Sequence, residues 1–234
     1  MDYDPENNGG LSFSEKSIRM GFIRKVYSLL VVQLVITFGI VALFIWVPQV
    51  TDFALHTPAL FWSAFGVTFA MIILLACCSD FRRKTPFNYI ALFVFTICEG
   101  WLLGCASATF TAWEVTIAIG ITIIICVALT IFAFQTKWDF TMKSGLLFVL
   151  LISLLMFGIF AAIFQSKVLN IMYACLGALL FSAYLVFDTQ IMLGGNHKLA
   201  ISPEEYVFAA LNLYLDVVNL FMYILALTGG GNGN

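Results

Sequence analysis

Seven apolar runs of about 20 residues each dominate this chain, and they leave it essentially one class of fold. They lie at 27–47, 58–79, 87–108, 115–134, 145–165, 168–187 and 207–227. At a rise of about 1.5 Å per residue, a helix of that length crosses the roughly 30 Å hydrocarbon core of a bilayer. Composition agrees. Of 234 residues, 62% are hydrophobic and 10% are charged, more apolar surface than a soluble domain of this size can cover. The expected architecture is an all-α membrane protein, a seven-transmembrane helix bundle over residues 18–228. A polar, Gly/Asn-rich tail at 1–17 reads as disordered, and residues 229–234 read as a short flexible end.

Basic residues orient the bundle. With the N-terminus inside, one side holds Lys16, Arg19, Arg24, Lys25, Arg82, Arg83, Lys84, Lys137, Lys143 and Lys198, and the other holds only Lys167. That asymmetry obeys the positive-inside rule and supports seven spans with the C-terminus outside. The competing count is six, with the last segment re-entrant. Residues 18–26 read as a basic amphipathic lead-in lying at the headgroups. The start lacks a secretory n-region and h-region, so the first span is expected to act as an uncleaved signal anchor. Trp46, Trp62, Trp113 and Trp138 stand near span ends, as interfacial aromatic belts do. The six cysteines all fall in apolar runs and read as small buried hydrophobes, with no zinc-like spacing. A net charge of −2 offers no basic surface for nucleic acid.

Three acids sit inside or at the edge of the apolar runs: Glu99, Asp188 and Asp216. A charge at that depth costs several kcal/mol, so such residues face the bundle interior and are functional candidates by default. Glu205, Asn212, Asp216, Asn219 and Tyr223 are spaced by 7, 4, 3 and 4, which keeps them on one helical face. Val207, Phe208, Leu211, Val218 and Phe221 form an apolar jacket on the other faces. The bland reading of this seam is interhelical hydrogen bonding. Ser202-Pro203-Glu204-Glu205 reads as a capping box with a proline start. Glu204 and Glu205 also sit at the positive end of the helix dipole. Gly177, Phe181, Tyr184 and Asp188 share a face of the sixth run, and Asp at a helix C-terminus opposes the dipole. Gly100 and Gly104, after Glu99, permit close helix approach. Arg82, Arg83 and Lys84 close the second run and read first as topology markers.

FIRKVYSLL (22–30), GALLFSAYLVFDTQ (177–190) and SPEEYVFAALNLYLDVVNLF (202–221) resemble the transmembrane Bax-inhibitor-motif family, nearest to its Lifeguard and Golgi anti-apoptotic branch. The resemblance runs from about residue 18 onward. It implies a seven-helix bundle around a central last helix, a pH-sensitive calcium leak and a cytoprotective, anti-apoptotic role. The family's paired aspartates fall on Asp188 and Asp216, and its acidic residue at the start of the last segment on Glu204. Its basic residue at the end of the second helix falls on Arg82 or Arg83. The lysine-rich C-terminal tail of the original Bax-inhibitor branch is lacking. The implied setting is a multi-pass protein of the Golgi or endoplasmic reticulum, with the plasma membrane as the alternative.

The expected mechanism is a passive, slow Ca²⁺ leak, with Ca²⁺ as permeant ion and no resident cofactor. Carboxylates and amides are the hard oxygen ligands that Ca²⁺ takes. Asp188 and Asp216 would bind the ion transiently and share a proton that gates the path. Glu99, Glu204, Glu205, Asn212 and Asn219 would line it, and Arg82 or Arg83 would compete with the ion. Expected partners are membrane lipids, Ca²⁺ and cell-death regulator proteins. The rival from another class is a non-conducting membrane interaction protein that regulates cell death. An intramembrane aspartyl protease also needs two aspartates on neighbouring helices, but Leu213-Tyr214-Leu215-Asp216 lacks the glycines such sites carry. The reading is therefore not an enzyme. Retinal binding is disfavoured because the last span has no lysine for a Schiff base, and short loops disfavour a hormone receptor.

Overall fold

The computed structural model describes residues 5–78, 83–194 and 201–229, with side chains from residue 17 onward. Among these residues there is no strand. The helices are α1 (Pro5–Trp46), α2 (Pro48–His56), α3 (Pro58–Cys77), α4 (Phe87–Ser107), α5 (Ala112–Gln135), α6 (Ser144–Phe164), α7 (Lys167–Leu193) and α8 (Tyr206–Gly229). All but α2 are long and apolar enough to cross a membrane, and α2 fills a connection that the apolar pattern read as a loop. Short 3₁₀ turns, Phe140–Lys143 and Pro203–Glu205, lead into α6 and α8.

Several expectations shift. α1 is already helical from Pro5, although its apolar stretch begins at Ser17. Extending a helix held by its apolar part needs no new nucleus. The 18–26 segment is no surface lead-in, because Phe22 and Val26 are buried in the core. α7 continues to Leu193, so Asp188 lies within the helix. Gly194, with φ of 62°, follows it as the C-cap. The cysteines are less buried than expected: Cys77, Cys78 and Cys175 are exposed on the apolar surface. Trp46, Trp62, Trp113 and Trp138 are exposed near helix ends, as belt residues should be.

α8 is the centre of the bundle. It packs on α7, α1, α5 and α4, whereas α3 packs chiefly on α4 and α6 chiefly on α7. Val207, Leu211, Val218 and Phe221 are therefore core residues rather than a lipid-facing jacket. Apolar side chains suit lipid and protein interior equally, so their pattern alone does not tell the two apart. Gly100 and Gly104 do bring helices together. A Cβ on Gly100 would stand 2.8 Å from Ile40 of α1, and one on Gly104 would overlap the Phe44 ring.

Candidate functional site: an acid pair between α7 and α8

Glycine sets the separation of α7 and α8. A Cβ on Gly177 would collide with Tyr223, so the tyrosine lies directly against the α7 backbone. The Tyr223 ring stacks on Phe181 with centroids 5.7 Å apart, and its hydroxyl donates to the Tyr173 hydroxyl at 3.1 Å. Further along the same seam, Asp188 of α7 and Asp216 of α8 lie close enough for their carboxyls to influence each other. Two such carboxyls can hydrogen-bond to each other only when one of them carries a proton.

The surroundings are apolar. Asp216 is 4% exposed, and its Oδ2 has no hydrogen-bond partner among the described residues. The Cys126 thiol on α5 and the Tyr184 hydroxyl on α7 lie within electrostatic reach of Asp216. Chemically the pair offers up to four hard oxygens, and up to two negative charges once the proton leaves.

The other sequence candidates divide. Asn219 donates to Leu215 O of its own helix at 2.8 Å, which is the bland reading realised. Asn212 is half-buried, and its side chain makes no hydrogen bond among the described residues. Glu99 does not join the pair. It lies near Tyr214, and Tyr214 and Asp216 are two residues apart and so point to roughly opposite sides of α8. The Tyr214 hydroxyl bonds to Thr37 Oγ1 at 2.7 Å, and Gln33 donates to Thr96 Oγ1 at 3.0 Å. Glu99 itself has no hydrogen-bond partner among the described residues. Arg83 donates to Glu205 at 2.9 Å, while Glu204, at 3.9 Å, is more exposed and peripheral. Arg82 lies outside the described residues. The predicted capping box at Ser202 is replaced by a 3₁₀ turn, in which the Ser202 hydroxyl accepts from Glu204 N–H at 3.4 Å. Glu205 is drawn to Arg83 instead. A reciprocal box does form at Thr111 and Glu114.

Two residues that brace the C-terminal turns of α7 were not singled out from sequence. Arg19 donates to Ile201 O at 2.8 Å and Met192 O at 3.4 Å, tying α1 to the end of α7 and the approach to α8. Gln190 is fully buried. It accepts from Phe140 N–H and donates to Trp138 O, both at 2.8 Å. A glutamine inside an apolar helix was the available signal, but its partner 50 residues away was not visible.

Residues 19–233 match the family model described as "Inhibitor of apoptosis-promoting Bax1". The chain is 41% identical to human Protein lifeguard 3 over 224 residues, covering 94% of this chain and 72% of the relative. Mouse Protein lifeguard 3 is 37% identical over 97% of this chain and 77% of its own length. Mouse Protein lifeguard 4 is 34% identical over 89% and 84%.

Proposed function

We propose, for a chain that belongs to the Bax1-inhibitor family, that it is an anti-apoptotic multi-pass membrane protein acting as a pH-sensitive calcium leak in the Golgi or endoplasmic reticulum. The end carrying Arg19, Arg83 and Gln190 would face the cytosol, following the lysine and arginine asymmetry.

One observation carries this reading: the juxtaposition of Asp188 and Asp216 at the seam of the central helix. Ionised, the two carboxylates would offer a divalent cation charge balance and hard oxygen ligands in a low-dielectric bundle. Sharing or binding protons, the same groups lose that attraction and hold α7 to α8 through their hydrogen bond. Proton occupancy therefore competes with Ca²⁺, and flux falls on acidification. Gly177 and the Tyr173–Tyr223 pair would fix the helix spacing on which that switch depends. Arg83 and Glu205 would form a charged mouth at the cytosolic end.

Purified protein in liposomes with an entrapped calcium dye tests this. The reading expects Ca²⁺ entry above that of empty liposomes, decreasing as pH is lowered. Flux equal to that of empty liposomes at every pH would return the protein to the non-conducting, interaction-protein reading.

A further inference from the structure

The connection between α5 and α6 is built differently from a plain linker. Lys137 and Trp138 precede the 3₁₀ turn Phe140–Lys143, and Lys143 closes it. Trp138 is 75% exposed and Met142 59% exposed. Lys137 and Lys143 are exposed, and neither has an ion-pair partner among the described residues. Trp138, Asp139, Phe140 and Lys143 line a cavity of about 240 Å³. The Asp139 carboxylate, which would oppose an anion, is turned onto the 3₁₀ turn, where it accepts from Thr141 N–H at 2.9 Å and from the Thr141 hydroxyl. Gln190 reaches this junction from α7 and bonds the backbone on both sides of Asp139, at Trp138 O and Phe140 N–H.

We propose that this junction binds the phosphate headgroup of an anionic membrane lipid, and that Gln190 carries its occupancy to the acid pair. The position selects a lipid over a free phosphate. The junction caps the ends of two spanning helices, and exposed Trp138 and Met142 are suited to the headgroup–acyl boundary. Lysines there face the phosphate layer, and each lysine near an anionic surface raises affinity about five-fold. Gln190 is two residues from Asp188 on α7, so a shift of the junction moves the helix that carries one half of the pair. The binding half stands on the junction alone. The coupling half rests on the proposed leak.

Native mass spectrometry of the full chain, released from phosphatidylcholine vesicles with and without phosphatidylserine, tests the binding half. Wild-type protein should retain phosphatidylserine over phosphatidylcholine. Lys137→Gln with Lys143→Gln, both exposed and without an ion-pair partner among the described residues, should lose most of that preference, about five-fold per lysine. Unchanged retention in the double variant, or equal displacement of the lipid by soluble inositol phosphate, overturns the lipid site. Calcium flux tests the coupling half. Phosphatidylserine should alter flux in wild-type protein, but not in Gln190→Met, which fills the same space without gripping the junction. Retained phosphatidylserine preference in Gln190→Met shows that this variant is folded. An equal response of both proteins overturns the coupling, and absence of flux in both overturns the leak while retention still decides the site.

Discussion

α6 and α8 are both spanning helices, yet they sit in opposite environments. α6 is the most apolar of the seven and α8 the least, but 61% of the most apolar stretch of α8 is buried in the bundle, against 17% for α6. A soluble protein would show the reverse, because water drives its greasiest helix inward. In a bilayer the tails are as apolar as leucine, so the helix that leaves the lipid is the one with polar groups to satisfy and close backbone contacts to make. Asp216, Tyr214 and Asn219 mark α8 as interior, and the leucine- and phenylalanine-rich run of α6 marks it as periphery. α6 touches the rest chiefly through Leu147, Leu154 and Ala161, against α7.

Glycine substitutions break that contrast most sharply. Gly177→Leu must displace Tyr223 from the α7–α8 seam, and overpacking of that kind costs about 1–3 kcal/mol or more. A Cβ on Gly145 of α6 meets nothing within 4 Å, so Gly145→Leu should stay within about 0.5 kcal/mol. Thermal unfolding in detergent should separate the two variants clearly. Equal losses would mean that α8 is not the organising helix.

Next in size is Tyr214→Phe, which removes the buried hydroxyl that bonds Thr37 and leaves the ring against Phe95. Membrane hydrogen bonds average about 0.6 kcal/mol, so a small but measurable drop in stability is expected. No drop would show that the polar cluster on that flank of α8 is not holding α1. The smallest effect belongs to Arg83→Gln. Its bond to Glu205 joins a half-exposed arginine to a more buried acid, a class worth about 0.2–1 kcal/mol and weakened by salt. A loss that salt does not diminish would place this pair out of water and make it part of the core.

The same contrast explains what could be read in advance. The spans were legible within a few residues at most ends, because a lipid interior demands long apolar runs whatever the tertiary fold. Asp188 and Asp216 were legible as two costly charges, though not their approach to each other, and the seam 212–216–219–223 gave the face of α8 that turns to α7. Three things were not legible. The length of α7 beyond 187 was hidden because Asp188, Thr189 and Gln190 look like a helix end until their partners are known. The burial of Val207, Leu211, Val218 and Phe221 was hidden because lipid and protein accept the same side chains. The grips of Arg19 and Gln190 were hidden because each bonds backbone atoms far away in sequence, and a backbone carbonyl leaves no mark in the residue pattern.

Whether α7 and α8 form one switch is decided by Asp188→Asn, Asp216→Asn and the double variant, each in dye-loaded liposomes across a pH series. Two acids that share a proton cannot act independently. Each single variant should therefore lose much of the Ca²⁺ flux and flatten its dependence on pH, and the double variant should add less than the sum of the two. Asp139→Asn, whose carboxylate serves the 3₁₀ turn, should keep the wild-type pH dependence. Additive losses from Asp188 and Asp216, or an unchanged pH dependence in all three variants of the pair, would contradict the account.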